Sequence, residues 1–425
     1  HFAYPQDENS FARATLRCVG VGKCRRNEDA FMCPTYRVTM EEEHTTRGRA
    51  HLLFEMMQND VLADAWRDKE VFSSLDLCIG CKGCKVDCPV HVDIATYKSE
   101  FLAHYYGLRP RPRSHYAMGL IGVWSRFGTA APGVANFFAQ RAPLDAASKW
   151  LAGVHSQRSL PRFHEQSFRA WFRSQRHDHS DMKPRVVLLA DAFNNAFFPN
   201  TLKAATRVLW RLGYQVIVPR GHHAPRPLIH YGMLGLAKRD LRGLVNDLKP
   251  FAREGVPIVG VEPSSIAVLR EELLTLLPQD QDAHRIGKLA KLFSEFVADH
   301  KDALPRIGGT ALLHLHCHEK AVLQPECTRD VLRAMAIDFE EPEKGCCGMA
   351  GSFGFEADHY DVSMQIGRRR LLPAAHAATK ETLLVAPGFS CRTQIHDATG
   401  RMPLHPAELI EQAFERVDRA DTRRG

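Results

Sequence analysis

The stretch CIGCKGCKVDCP, residues 78–89, sets Cys78, Cys81 and Cys84 three apart and places Cys88 four later, with Pro89 behind it. A cubane iron-sulfur cage needs four converging thiolates, and one tight loop with this spacing supplies three of them at little ordering cost. Four thiolates also suit tetrahedral zinc. Paired CxxC groups with a long spacer would mark zinc, whereas a compact run closing on Cys-Pro points to iron and sulfide. In the two-cluster pattern the cysteine before proline ligates the other cluster, so Cys88 predicts a second cysteine group.

That group lies upstream, in CVGVGKCRRNEDAFMCP, where Cys18, Cys24 and Cys33 precede Pro34 and Val21 stands where a further cysteine would fall. Crossed ligation assigns Cys78, Cys81, Cys84 and Cys33 to one 4Fe-4S cluster. Cys18, Cys24 and Cys88 then serve a second, one ligand short. Three readings cover the gap: a side chain such as Asp29, Glu28 or His44 fills it, the second cluster is a 3Fe-4S form, or no cofactor sits there.

The 425 residues are 44% hydrophobic and 25% charged, an ordinary globular composition with room for several domains. Seven of the twelve cysteines sit in the two Cys-Pro groups, which reads as cofactor ligation in a reducing cytosol rather than a disulfide framework. The net charge of +7, with no basic run interleaved with aromatics, argues against a nucleic-acid partner. No apolar stretch is long enough for a transmembrane segment and no signal-peptide core is present, so a cytoplasmic protein is expected, with peripheral contact at the inner face of the cell membrane allowed. The chain begins at His1 without methionine, which reads as a fragment or processed product.

Hydropathy patterning divides the chain. Residues 1–105 hold the two cysteine groups and otherwise read as helix; Ala50, Leu53, Phe54 and Met57 follow helical spacing behind Glu41, Glu42 and Glu43. Residues 106–183 read as a helical linker, in which Arg109, Arg111 and Arg113 alternate with prolines as a solvated extended stretch. Trp124, Phe127, Phe137, Phe138, Trp150, Trp171 and Phe172 suggest helices packed on a neighbour. His177 and His179 read as solvated boundary residues. From Pro184 strand and helix alternate, with strands expected at 186–189, 215–218, 257–261, 311–315 and 382–385, implying parallel sheets with covering helices. The fold class is thus a multidomain chain: an α-helical ferredoxin domain, the linker, and two related α/β units at 184–305 and 306–425.

The second unit carries cysteines at its turns: Cys317 after a strand, Cys346 and Cys347 in GCCGMAGSFG, and Cys391 at a helix start. Strand ends on one edge of a parallel sheet gather ligands in such folds, so these four thiols form a possible third metal or cluster site, with a redox-active thiol site as the alternative. Cys327 reads as core. In the first unit His223, Ala224 and Pro225 stand in for the Cys-Cys-Gly, and Ser265 for the last cysteine, so no equivalent site is expected. The glycines of 348–354 lack a Gly-Lys-Ser or a strand-borne GxGxxG and do not read as a phosphate loop.

The paired Cys-Pro groups, MCPTYRVTMEEEHTTRGRA (32–50), VGVEPSS (259–265) and CCGMAGSFGFE (346–356) together resemble the C-terminal half of fused flavin and iron-sulfur oxidoreductases of the bacterial D-2-hydroxyglutarate and D-lactate dehydrogenase class. The CCG block is also similar to the iron-sulfur subunits of glycolate oxidase, anaerobic glycerol-3-phosphate dehydrogenase and heterodisulfide reductase. The resemblance implies a tandem pair of CCG units, the first degenerate: Ala224, Pro225, Arg226, Pro227 and Glu262, Pro263, Ser264, Ser265 stand where the family carries Cys-Gly-Arg-Pro and Glu-Pro-Ser-Cys. It implies FAD on a preceding domain or partner subunit that oxidises a D-2-hydroxy acid, and an acceptor such as a quinone or an electron carrier.

The chain then reads as the electron-transfer part of an oxidoreductase, with no catalytic residue assigned and the substrate site elsewhere. The rival readings are a stand-alone subunit of a thiol or disulfide reductase that uses the CysCysGly site directly, and a non-enzymatic docking scaffold bearing silent metals.

Overall fold

The computed structural model describes residues 1–26, 31–58, 62, 64–175, 183–342 and 345–422. Glu28, Asp29, His177 and His179, named above as candidate ligands or boundary residues, lie outside these.

Two small parallel sheets organise the C-terminal two thirds. In the first, β1 (Arg185–Leu189) is flanked by β2 (Gln215–Ile217) and β3 (Ile258–Gly260), and β4 (Ala290–Leu292) pairs with β3, giving the order β2-β1-β3-β4. The register sets Val186 against Val216 and Leu188 against Val259. In the second, β5 (Thr310–Leu313) lies between β6 (Asp338–Glu340) and β7 (Leu383–Val385), with Leu313 opposite Val385. The central strands are continuous apolar runs because helices cover both faces of a parallel sheet. The edge strands β4 and β6 carry Lys291, Asp338 and Glu340, so their sequences lack that run and escape a hydropathy reading.

One apolar core joins the N-terminal helices to the first sheet. Met32, Leu53, Val71, Leu75 and Phe101 pack in it with Leu234, Leu241, Ile258 and Leu292. The opposite face of the first sheet shares a second core with the second sheet, where Val186 and Leu188 meet Leu313, Val331 and Val385. The Pro199–Arg211 and Pro406–Thr422 helices close that face through Thr201 to Glu408 at 2.8 Å and Arg207 to Glu411 at 2.6 Å.

Near the N-terminus the expected helix begins later, at Thr46–Gln58, behind a short turn at Glu42–His44, and buries Met56 rather than Met57. Residues 113–152 form four short helices, Arg113–Gly119, Ile121–Ala130, Pro132–Gln140 and Leu144–Ala152. The expectation that their aromatics pack inward does not hold: Phe127 is 68% exposed and Trp150 65%, while Trp124, Phe137 and Phe138 are also exposed. Trp171 alone of that series is buried. The arginines before this arm are not simply solvated either. Arg111 donates to the carbonyls of Tyr231 and Gly232, and Arg113 lies over the Trp150 ring at 4.1 Å. Cys327, on the Pro325–Ala334 helix, is only half-buried, 3.5 Å from Gln324 Oε1, rather than in the core.

Candidate iron-sulfur and cysteine-rich sites

The Cys78–Cys88 loop runs from the end of the Lys69–Asp76 helix into the Gly83–Asp87 helix. It turns through left-handed backbone at Gly80 and Lys82, a conformation that costs glycine little and lysine more. Lys82 is held there by its side chain: the ammonium, 2% exposed, reaches Asp93 at 3.3 Å, Glu271 at 2.7 Å and Glu272 at 3.2 Å. Lys98 fastens the start of the loop, donating to the carbonyls of Asp76 and Cys78 at 3.0 and 2.8 Å.

The upstream group is tied to this loop by Asp87, whose carboxylate accepts from Phe31 N at 2.5 Å and Met32 N at 3.2 Å. Cys33 follows in left-handed backbone, and its sulfur accepts from Thr46 N at 3.0 Å. Burial pushes the Cys33 thiol up to about 11, with the Arg49 guanidinium opposing. Burial likewise raises Cys81 and Cys84 well above the usual thiol value, and each is raised further by its neighbours Cys33 and Cys78. Cys33, Cys78 and Cys84 are buried in the core that the N-terminal helices share with the first sheet, and Cys81 is buried in an adjoining apolar group; buried thiols of this kind are donors that fit a thiolate-ligated cluster.

Cys24 is buried and raised by burial, with Cys18 adding to the shift and Thr45 and Arg47 hydrogen-bonding against it. Cys88 is buried in the same core, and Cys18 packs at its edge. His44 is turned elsewhere: its Nδ1 lies 2.8 Å from Thr39 Oγ1 and its Nε2 3.6 Å from Glu43. Burial lowers this imidazole to about 4.

The cysteine-rich turns lie beside the first loop. Cys81 and Ile79 pack against Cys317, Cys346 and Phe353, and His318 Nε2 lies 3.2 Å from the Gly80 carbonyl. Cys317 opens the Cys317–Val322 helix, whose N-cap His316 accepts from His318 N. Burial disfavours a charged His316, but Cys317 and Glu262 outweigh it and lift the ring to about 9. Cys347 and Cys391 face another apolar group, with Leu312, Met349 and Leu384. Hydrogen bonds from Cys346 and Cys391, then one from His314, hold the Cys347 thiol well below its ordinary value despite burial.

His314, His316 and His318, in HLHCHEK, are residues the cysteine spacing passes over. They follow the end of β5, where His314 lies with Cys347 and Cys391, and His316 with Cys317 and His318. In the first unit, His223 is pinned between Asp240 at 2.8 Å and Asp247 at 2.9 Å. Glu262 reaches across to the second unit, accepting from Phe389 N at 2.8 Å at the head of the helix that carries Cys391. Between the arm, the Gly80 turn and the two sheets lies a cavity of about 770 Å³, walled by Trp124, His230, Glu262, Cys317, Phe389 and Ser390.

Residues 14–92 match the family model of the 4Fe-4S dicluster domain, and residues 311–396 match that of the cysteine-rich domain. A D-2-hydroxyglutarate dehydrogenase of Pseudomonas putida is 27% identical over 95% of this chain and 44% of its own length. The glycolate oxidase iron-sulfur subunit of Escherichia coli is 24% identical over 94% of each chain. One subunit of the anaerobic glycerol-3-phosphate dehydrogenase of Escherichia coli is 25% identical over 64% of this chain and 68% of its own. The chain spans less than half the length of the D-2-hydroxyglutarate dehydrogenases it matches. It carries a ferredoxin-like 4Fe-4S dicluster domain at its N-terminal end and a cysteine-rich domain at its C-terminal end, and is related along nearly its whole length to iron-sulfur proteins of oxidoreductases.

Proposed function

We propose that this chain is the electron-transfer portion of a flavin-dependent dehydrogenase acting on a D-2-hydroxy acid, relaying electrons from a flavin outside the chain to an acceptor. The observation that carries this reading is the packing of Cys81, from the dicluster domain, against Cys317 and Cys346 of the cysteine-rich domain. Thiols of the two domains meet at one partly buried contact, with Cys81 buried and Cys317 and Cys346 half-buried.

In this reading Cys33, Cys78, Cys81 and Cys84 hold one cluster and Cys18, Cys24 and Cys88 part of a second. A cluster changes oxidation state by one electron where a flavin takes two from a hydride, so bound clusters allow stepwise delivery. The residues around them exclude water, and Thr46 N, Gly83 N and Gly348 N donate hydrogen bonds to Cys33, Cys81 and Cys346. Such donors to sulfur favour the reduced, more negative state.

The acceptor side is the cavity, and a lipid-soluble quinone is the acceptor that suits it. The arm that roofs the cavity exposes Trp124, Phe127 and Trp150. Arg109, Arg113, Arg126, Arg141 and Arg173 are exposed in the same region. Exposed aromatics set among basic residues suit the interface of an anionic membrane. No helix among the described residues is long and apolar enough to cross a membrane, so contact would be peripheral. The two α/β units are read as tandem CCG units, the first with its thiols replaced.

Anaerobic purification with iron and sulfide counting and low-temperature electron paramagnetic resonance tests the reading. About eight irons support two cubanes and about seven a three-iron form, while about four would sink the two-cluster relay. Clusters that a reduced flavin cannot reduce would sink the electron-transfer role itself.

A further inference from the structure

Two walls of the cavity lead deeper into the molecule. Ile79 and Gly80 belong to the Cys78–Cys88 loop, while Ser352 and Phe355 belong to the turn that follows Cys347. Behind Ser352 runs a line of buried polar groups. Ser352 hydrogen-bonds the hydroxyl of Tyr231, a residue only 2% exposed, and Tyr231 Oη donates to Glu356 Oε1 at 2.6 Å. The other Glu356 oxygen lies 3.5 Å from Ser114 Oγ and 3.6 Å from His359 Nδ1. That nitrogen is buried and has no hydrogen-bond partner of its own. On its far side the ring donates from Nε2 to Asp76 at 2.8 Å, and the Asp76 side chain is 34% exposed.

From this arrangement we infer that His359, Glu356, Tyr231 and Ser352 form a proton relay from the protein surface to the cavity, serving a quinone bound there. The relay presupposes the electron-transfer reading with a quinone as acceptor and supplies the protons that reading needs. A quinone becomes a quinol by taking two electrons and two protons, with one O–H bond forming at each carbonyl oxygen. The electrons arrive on the side of the cluster loop, at Ile79 and Gly80, and the protons on the side of Ser352.

One pass moves one proton. The Glu356 carboxyl gives its proton to Tyr231 Oη, Tyr231 gives its own to Ser352 Oγ, and the Ser352 hydroxyl proton goes to the quinone oxygen. Glu356, left a carboxylate, regains a proton from Nδ1 of the His359 imidazolium, which keeps its Nε2 proton on Asp76. The ring is reprotonated from solvent at the exposed edge of Asp76, and a second pass completes the quinol. Burial raises the Glu356 carboxyl above the usual carboxylate range, against the opposing effects of His359 and the Tyr231 hydroxyl, which suits a group that must be protonated in order to donate. Asp76 fixes the imidazole with Nδ1 toward Glu356, and the Phe353 ring stacks on it at 4.4 Å. Lys98, bound to the carbonyls of Asp76 and Cys78, ties this outer end of the relay to the cluster loop.

The test uses the full chain with its clusters loaded, reduced by dithionite and mixed in a stopped flow with decylubiquinone or with ferricyanide, which takes one electron and no proton. At matched iron content, the ratio of the quinone rate to the ferricyanide rate should fall on the order of 100-fold in Glu356→Gln. Tyr231→Phe keeps the ring, removes the hydroxyl and should lower the ratio likewise, and it carries the test if Glu356→Gln does not load iron. Infrared spectra followed over pH give a readout without turnover: a carboxylic-acid carbonyl band that titrates above the exposed carboxylates in the wild type should be missing from Glu356→Gln. A ratio unchanged in both variants overturns the relay, as does the absence of that band from the wild type. Equal slowing with both acceptors overturns it too, because that marks a structural role. A wild type that passes electrons to ferricyanide and not to the quinone removes the acceptor reading itself, and the relay with it.

Discussion

At the scale of single residues, the cluster loop depends on partners far away in sequence. Lys82 is buried among Asp93, Glu271 and Glu272, and removing one member of a buried ion network leaves the others uncompensated. Lys82→Met should lose about 3–5 kcal/mol in urea unfolding and lower iron occupancy at the Cys78–Cys88 loop. Arg158, from the linker, plays a similar part for the second unit: 2% exposed, it donates to Gly354 O at 2.7 Å, Gln394 Oε1 at 2.6 Å and Ser363 Oγ at 3.1 Å. Arg158→Met should cost about 3 kcal/mol or more through the unpaired acceptors, read as a lower urea midpoint. The cysteines themselves were legible because their chemistry is written in local spacing. Lys82 and Arg158 were not, since nothing in a surface-type residue announces a carboxylate or carbonyl some 190 residues away.

At the scale of elements, Asp191 caps the Ala192–Ala196 helix by accepting from Phe193 N and Asn194 N. Burial, with the charge of Glu262 adding to it, raises this carboxyl to about 6, against roughly 3.9 in an unfolded chain. The native state therefore holds the proton more tightly than the unfolded one. Its stabilising contribution is complete below about pH 4 and is lost as pH rises through about 6. Asp191→Asn keeps an oxygen for the cap without the charge. It should gain on the wild type by on the order of 2 kcal/mol between pH 4 and pH 7.5, measured as the difference in unfolding free energy. The central strands could be read from their apolar runs, while β4 and β6 could not, because an edge strand needs apolar residues only where a neighbour covers it. The helices of the arm announced themselves by composition, yet nothing in a list of tryptophans and phenylalanines tells which face solvent.

At the scale of the whole molecule, the arm, the cavity and the two cysteine regions form one continuous assembly. Arg111 anchors the base of the arm to Tyr231 and Gly232, and Tyr231 Oη donates to Glu356 at 2.6 Å beside the cysteine-rich turn. If the arm rests on lipid, the full chain should co-sediment with vesicles rich in anionic lipid at low salt and less with neutral ones, since the surface potential is screened within a Debye length. Replacing Trp124, Phe127 and Trp150 with alanine should abolish most of that binding and leave the iron content unchanged. Binding to neither vesicle type, or equal binding by the triple variant, would remove the membrane reading while leaving the cluster assignments in place.

The sequence by itself determined the cofactor class, the count of cysteine groups and the alternation of strand and helix, because thiolate spacing on one loop and hydropathy period are local properties of the chain. Only the tertiary structure decided that Cys81 abuts Cys317, that His314 joins Cys347 and Cys391, and that the aromatics of the arm stay uncovered. Those relations depend on how sheets and helices from distant segments pack, and packing answers to shape and to buried polar partners that no short window of residues contains.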